Sequence, residues 1–114
     1  MQLSLVVIKT NQLEELVAFY SHFGLIFDHH RHGNGPFHYT TKIGLTYLEL
    51  YPLPKTQTVA DTTTRLGITV EKLDELMETL RKNSVKIINA PQQTEFGYNA
   101  LVEDPDGRKV ELYG

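Results

Sequence analysis

The chain has 114 residues, of which 40% are hydrophobic and 22% are charged, and its formal net charge is -3. This length fits one domain with a substantial core, and the acidic balance excludes the basic surface that a nucleic acid or an anionic membrane would require. Cysteine is absent, which excludes disulfides, thiolate catalysis and cysteine-ligated zinc.

The N-terminal residues Met1 to Ser4 lack the basic region and the small-residue cleavage site of a signal peptide. No apolar run approaches the ~20 residues that span a bilayer. We therefore expect a cytoplasmic protein with no nucleic-acid partner and no membrane partner.

The first predicted elements are a strand and a helix. Leu3 to Lys9 is rich in β-branched and long apolar residues, which predicts a central strand buried on both faces. Asn11 and Glu14 have the spacing of a capping box, and apolar residues then recur at helical spacing until Gly24. The pattern predicts a first helix over about Gln12 to Phe23.

Three strands are predicted next, over Leu25 to Arg31, Phe37 to Lys42 and Leu45 to Tyr51. A loop rich in glycine, residues 32–36, separates the first two, and Ile43-Gly44 joins the last two. A two-residue loop there places His38 opposite Glu49, whereas a three-residue loop places Phe37 opposite Glu49 and turns His38 away. Both registers stay open.

The second half begins after a linker rich in Pro and Thr. Leu66 to Val70 predicts a strand, and an i, i+3, i+4, i+7 stripe of Leu73, Leu76, Met77 and Leu80 predicts a helix whose apolar side chains are core. Val85 to Ile88 predicts a strand that Ala90-Pro91-Gln92-Gln93 breaks. Tyr98 to Glu103 leads into a final hairpin, whose turn is Asp104-Pro105-Asp106-Gly107.

The chain repeats itself at an offset of about sixty residues. Leu13-Glu14-Glu15-Leu16-Val17 aligns without a gap on Leu73-Asp74-Glu75-Leu76-Met77, and Glu49-Leu50-Tyr51 recurs as Glu111-Leu112-Tyr113. Each half then reads as strand, helix and three strands, so the predicted class is α+β with two tandem βαβββ modules. We predict one domain over 1–114, with module one about 1–52, a linker about 53–63 and module two about 64–114.

The repeated strands place chemistry on one face of the sheet. Because side chains alternate along a strand, Tyr47, Glu49 and Tyr51 lie on the face opposite the neighbouring leucines. Glu111 and Tyr113 are arranged in the same way. Two glutamates and several tyrosines are thus predicted at matched positions on the face away from the helices.

Four motifs in a specific order carry a resemblance to a known superfamily. They are Val17-Ala18-Phe19-Tyr20 with Gly24-Leu25, Tyr47-Leu48-Glu49-Leu50, Phe96-Gly97-Tyr98, and Glu103-Asp104-Pro105-Asp106-Gly107 with Val110-Glu111-Leu112. Over nearly its whole length the chain resembles the vicinal oxygen chelate superfamily, which includes glyoxalase I, bleomycin resistance proteins, fosfomycin resistance enzymes and extradiol dioxygenases. The resemblance implies a U-shaped, mostly antiparallel sheet with helices on its outer face, usually completed in a homodimer, and a divalent metal in the cup of the enzymes.

The metal ligands implied by this resemblance are a His or Gln on the first strand and a Glu on the last strand of each module. Glu49 and Glu111 match the acidic positions, but Leu5 and Arg65 stand at or within a residue of the others. Leucine has no donor atom, and a guanidinium only donates hydrogen bonds. A rearranged site for Zn, Ni, Mn or Fe from His38, Glu49 and Glu111 is the alternative to no metal at all. His29, His30 and His32 crowd one nearby segment.

Two functions are compatible with these residues. The first is a metal-free binder of a small amphipathic molecule, similar to the bleomycin resistance branch, with Arg65 paired to Glu49 or Glu111 and the ligand held by Tyr47, Tyr51, Phe96, Tyr98 and Tyr113. The second is a metal-dependent lyase or isomerase of the glyoxalase I type, with Glu49, Glu111 and His38 as catalytic candidates. The missing first-strand donors favour the first.

Overall fold

The computed structural model describes all 114 residues. The chain forms two compact units, Met1–Asp61 and Thr62–Gly114. Each unit has one helix and four strands in the order βαβββ. This confirms the α+β class and the tandem repeat.

Unit one holds a four-stranded sheet in the order β1-β4-β3-β2. Its elements are β1 (Leu5–Thr10), α1 (Leu13–Ser21), β2 (Asp28–His30), β3 (His38–Ile43) and β4 (Thr46–Pro52). β1 runs parallel to β4, and the other neighbours are antiparallel. A sheet of this kind is mixed, because only the connection through α1 is long enough for a parallel crossover.

Unit two repeats this topology with the order β5-β8-β7-β6. Its elements are β5 (Leu66–Thr69), α2 (Leu73–Lys82), β6 (Lys86–Thr94), β7 (Gly97–Glu103) and β8 (Lys109–Tyr113). The registers match as well, since Val7 pairs with Glu49 in unit one and Gly67 pairs with Glu111 in unit two. The duplicated glutamates therefore occupy equivalent sites of their sheets.

Each helix buries an apolar stripe on one face of the sheet in its own unit. The core of unit one includes Leu16, Phe19 and Tyr20 from α1 together with Ile8, Leu48 and Leu50, and the core of unit two includes Leu73, Met77 and Leu80 from α2 together with Ala100, Val102, Val110 and Leu112. Met77 is core, as the helical spacing predicts. Neither helix has the length and apolar character needed to cross a bilayer.

The predicted capping box of α1 is wrong. The N-cap residue is Gln12, whose side chain makes no capping bond, and its backbone N–H donates to Thr10 Oγ1 at 3.0 Å. The threonine hydroxyl at the end of β1 thus bonds the backbone N–H of the N-cap residue, the role that Glu14 has in the predicted capping box. The C-terminal prediction holds, because Gly24 adopts a φ of +86° after the last turn.

The position predicted for the first strand is also wrong. β1 lies at the outer end of its sheet and pairs only with β4. Its side chains alternate, so Ile8 is buried while Leu5 and Val7 are largely exposed. The β-branched residues therefore form an outer strand. Their apolar side chains lie alternately on a buried face and on an exposed face.

The hairpin between β3 and β4 has neither of the two predicted registers. Ile43 pairs with Thr46, and Thr40 lies opposite Glu49. The two-residue loop is Gly44-Leu45, because Gly44, with a φ of +60°, occupies the first loop position, which requires a positive φ. Since Thr40 and His38 are two residues apart, His38 still shares a face with Glu49.

The predicted break in β6 is wrong as well. The strand runs through Pro91, with register shifts on either side of Asn89. β6 is an outer strand of its sheet, where a proline removes no bond from a second neighbour and bulges are tolerated.

The final turn is built around a buried arginine that the sequence pattern did not single out. Asp104 Oδ1 accepts from the backbone N–H groups of Asp106 and Arg108, both at 2.9 Å. Arg108 Nη1 donates to Asp104 Oδ2 at 3.1 Å and to Asp106 Oδ2 at 2.7 Å. Burial lowers the pKa of Arg108, but the hydrogen bonds to Asp106 and Asp104 outweigh it and raise the pKa above its ordinary value.

Candidate functional site

The sheet face of unit one that points away from α1 carries the predicted site residues of that unit. We call it the tyrosine face. Three of its apolar or aromatic side chains are 43–48% exposed, namely Leu5 at 48%, Val7 at 43% and Tyr47 at 47%. The face consists of Leu5, Val7, Lys9, His38, Thr40, Lys42, Tyr47, Glu49 and Tyr51.

Glu49 lies at the centre of the tyrosine face. Thr40, its register partner on β3, donates from Oγ1 to Glu49 Oε2 at 3.0 Å. His38 Nε2 lies 3.7 Å from the same oxygen, and the Glu49 side chain is 16% exposed. On its other side Glu49 is paired with Val7, which offers no polar atom. Thr40 thus bonds the carboxylate on one side, and the other side is open to a ligand.

His38 is a buried histidine with a defined orientation. Its ring stacks on that of Tyr51, with centroids 4.1 Å apart and planes within 9°. Nδ1 lies 3.2 Å from the Pro36 carbonyl oxygen, which assigns the ring proton to Nδ1 and leaves Nε2 as the acceptor. The Tyr51 hydroxyl is 3.3 Å from Nε2. Burial, followed by the charge of Glu49, raises the pKa of Tyr51, so its hydroxyl keeps the proton that it donates.

Unit two has an ion pair beside its equivalent glutamate. Arg65 Nη2 donates to Glu111 Oε1 at 3.0 Å, with the side chains 48% and 35% exposed. The ion pair expected for Arg65 is present, but solvent reaches both partners. The neighbouring β5 position is Gly67, where an added Cβ would lie 3.3 Å from Tyr113 Cε2. Strand β5 therefore places no further side chain against Glu111.

Two of the aromatic residues predicted to line the site lie elsewhere. Tyr98 shares its face of β7 with the buried Ala100 and Val102, and its hydroxyl donates to Asp74 Oδ1 on α2 at 2.8 Å. It therefore lies on the helix side, because Asn99 and not Tyr98 pairs with Tyr113. An open depression lined by residues 71–75, Tyr98 and Gly114 lies at this end of α2.

Phe96 also lies off the sheet face. It sits in the turn between β6 and β7 and is 76% exposed. The contact of Tyr98 has a counterpart in unit one, where the Tyr39 hydroxyl donates to Glu14 Oε1 at 2.9 Å. A strand tyrosine bonded to a carboxylate in the first turn of the helix is thus part of the repeat, and it is structural.

The positions that the superfamily resemblance assigns to metal ligands do not fit a metal ion. On the tyrosine face β1 presents Leu5 and Val7, which have no donor atom. In unit two the cationic Arg65 already bonds Glu111. A lone carboxylate in each unit falls short of the roughly four ligands that zinc takes.

His30 and His32, which the sequence showed only as part of a segment rich in histidine, lie next to His38. We call His30, His32 and His38 the histidine cluster. His30 pairs with His38 across β2 and β3, and the ring centroids are 4.5 Å apart for His30 and His38 and 5.2 Å apart for His32 and His38. The spacing of the histidines along the chain was visible in the sequence, but their meeting depends on the register of β2 and β3.

The paired βαβββ units, with a glutamate at the same place in each last strand, define a class of duplicated small-domain proteins. The chain belongs to the Glyoxalase/Bleomycin resistance protein/Dioxygenase superfamily, whose family model matches residues 2–112. The sequence resemblance is thereby confirmed.

Solved structures with the same fold include an antibiotic binding protein and an oxidase. TnmS3, an antibiotic binding protein from Streptomyces sp. CB03234, has a TM-score of 0.80 and 21% identity, covering 99% of this chain and 94% of its own. TioX from Micromonospora sp. ML1 has a TM-score of 0.75 and 18% identity, with coverage of 98% and 97%. Oxidase ChaP-H2 has a TM-score of 0.78 and 17% identity, with coverage of 100% and 96%. Curated proteins give no match.

Proposed function

We propose that the tyrosine face binds a small amphipathic organic molecule, with no metal ion at the first-strand positions of the superfamily. The observation that carries this proposal is the exposure of Leu5, Val7 and Tyr47 beside a partly buried carboxylate. Exposed apolar and aromatic side chains grouped around a few oriented polar groups are typical of ligand sites.

The polar groups of the tyrosine face favour a neutral or cationic ligand. Glu49 brings a negative charge, and Thr40 Oγ1 is the group that donates to it, while His38 Nε2 lies 3.3 Å from the Tyr51 hydroxyl. An anionic ligand beside this carboxylate would be repelled, and the two cations of the face, Lys9 and Lys42, lie opposite Tyr51 and Tyr47 instead of opposite Glu49. The ring of Tyr47 gives a flat apolar surface, and Lys42 Nζ lies over this ring, 5.5 Å from its centroid.

The comparisons support a binding role without deciding it. TnmS3 is described as an antibiotic binding protein and ChaP-H2 as an oxidase, so the fold serves both purposes. The side chains of this chain favour the binding role, because Leu5 and Arg65 stand where the enzymes of the superfamily are expected to have metal ligands. A binder needs no such donors.

The test uses three probes that differ only in charge, which are 2-naphthylmethylamine, 2-naphthylmethanol and 2-naphthoate, together with bleomycin. We expect the cationic and neutral naphthalenes to shift amide resonances of β1 and β4 in NMR spectra, and the carboxylate to bind more weakly. Val7→Lys should weaken binding by about tenfold or more, because it places a long cationic chain on the face.

Val59→Lys is the matched control, since Val59 is 78% exposed in the segment between β4 and β5. It should leave the affinity for the naphthalenes unchanged. Equal effects of the two substitutions, or strongest binding of the naphthoate, would refute the proposal. Shifts confined to unit two would also contradict it.

A metal-dependent lyase or isomerase of the glyoxalase I type is the second candidate. The 3.7 Å approach of His38 Nε2 to Glu49 Oε2 supports it, because these two residues supply a nitrogen and an oxygen donor on one face. The assay is isomerisation of the methylglyoxal–glutathione hemithioacetal with added zinc, nickel, manganese or iron. Turnover that is lost in Glu49→Gln and in Glu111→Gln would favour this candidate over the binder.

A further inference from the structure

The histidine cluster brings three imidazoles together from three places in the chain. His30 ends β2, His32 lies in the following loop, and His38 begins β3. One ring nitrogen from each lies within 4.8 Å of the other two. Imidazole nitrogens are ligands for zinc, nickel, cobalt and copper.

We propose that the histidine cluster binds one divalent transition-metal ion of the zinc or cobalt type, with three protein ligands and an open coordination position. The site is formed within unit one on the β2–β3 hairpin. It uses none of the first-strand positions of the superfamily, and it adjoins the surface proposed for the organic ligand, with which it shares His38.

His38 is already oriented as a metal ligand. The Pro36 carbonyl oxygen accepts from Nδ1, 3.2 Å away, and such a bond from the second ring nitrogen is typical of metal-bound histidines. The stacked Tyr51 ring fixes the plane of the imidazole. Nε2 is then the nitrogen with a free electron pair, and a metal ion there replaces the hydroxyl of Tyr51.

The loop that follows β2 turns back at His32. Gly35 N–H donates to the His32 carbonyl oxygen at 3.0 Å, and Gly33 has a φ of +57°. An added Cβ at Gly35 would lie 3.1 Å from that oxygen, so this tight turn suits glycine. The turn keeps the His32 side chain beside the hairpin, with ring centroids 5.1 Å apart for His32 and His30.

The three nitrogens need only a small movement to hold an ion. Zinc–nitrogen bonds of about 2.0–2.1 Å in a tetrahedral site bring the ligand nitrogens to about 3.3 Å from one another. His32 is exposed and lies outside the strands, so it can close most of this difference. Glu49, whose Oε2 is 3.7 Å from His38 Nε2, contributes a negative charge next to the ion.

The test is titration of the metal-free protein with cobalt(II), read by visible absorption, with zinc used to displace the cobalt. We expect one cobalt ion per chain, with the intense bands of a low-coordinate site. His32→Ala should weaken cobalt binding by more than about tenfold, the lower end of the loss seen when even an outer-shell partner is removed. The exposure of His32 keeps this variant folded, which circular dichroism can verify.

The matched control is His29→Ala. His29 adjoins His30 in sequence but points to the other face, where its ring stacks on Tyr39 with centroids 4.4 Å apart. This variant should bind cobalt like the parent protein. Equal losses in His29→Ala and His32→Ala, or no stoichiometric cobalt binding by the parent, would overturn the proposal. Binding that is lost in Glu111→Gln and kept in His32→Ala would assign the ion to the superfamily position instead.

Discussion

Substitution of two arginines of unit two measures how strongly burial changes the contribution of an ion pair to the free energy of unfolding. Arg65 bonds Glu111, and Arg108 bonds Asp104 and Asp106. The same substitution, arginine to methionine, removes the charge at each position and keeps an unbranched chain of similar length. The change in the free energy of unfolding then depends on the surroundings.

The exposures set the expected magnitudes. Arg108 is 2% exposed and Asp104 is fully buried at 0%, so Arg108→Met leaves two desolvated carboxylates without their cation. Breaking a buried pair in this way costs about 3–5 kcal/mol. Arg65 is 48% exposed, and an exposed pair contributes about 0–1 kcal/mol. The sequence alone allowed Arg65 to be a partner in a buried ion pair, whose loss costs about 3–5 kcal/mol. Its exposure in the structure predicts the smaller loss of stability expected for an exposed pair.

Urea denaturation followed by tyrosine fluorescence and circular dichroism gives both free energies. The loss in Arg108→Met should exceed that in Arg65→Met by at least about 2 kcal/mol. Comparable losses would show that solvent exposure does not control these pairs and would refute the reasoning. Titration of Arg65→Met with 2-naphthylmethylamine then reports whether a released Glu111 carboxylate attracts a cationic ligand to unit two.

Three further predictions can be checked with simple measurements. Light scattering should give about twice the chain mass, because each sheet ends in strands with one neighbour and a two-fold partner can cover them; a monomer at micromolar concentration contradicts this. Any metal bound to the protein after purification should also be found by metal analysis of Glu49→Gln and Glu111→Gln. The hydrogen bond to Asp74 raises the pKa of Tyr98 above 10.0, so Asp74→Asn should lower it in an NMR titration. Because that pKa is raised in the folded state, its contribution to stability is present below pH 10.0 and is lost as pH rises through the folded-state value.

The repeat could be predicted from the sequence because it rests on two local signals. Helical spacing fixed the buried stripe around Met77, and strand alternation placed Glu49 and Glu111 opposite the buried leucines. Both signals depend on the chain within a few residues. The prediction that Arg65 pairs with a glutamate followed from the same repeat.

The residues that were misplaced depend on contacts between strands. Tyr98 was assigned to the site face from its motif, but the register of β7 against β8 turns it to α2. The β3–β4 register was missed because the glycine of positive φ is the first loop residue and not the second. One residue of slippage in a strand reverses its faces, which is why motif position alone is a poor guide to side-chain direction.

Strand geometry also explains where the donors of unit one now lie. On the tyrosine face β1 contributes Leu5 and Val7, which makes the first-strand side of Glu49 apolar. The nitrogen donors lie on the opposite side, on β2, β3 and the loop between them, with His38 close to both Glu49 and His30. Glu49 therefore borders both an apolar ligand surface and a set of imidazoles. The titrations with naphthalenes and with cobalt address these two sides, because Val7→Lys changes the apolar surface and His32→Ala removes one of the imidazoles.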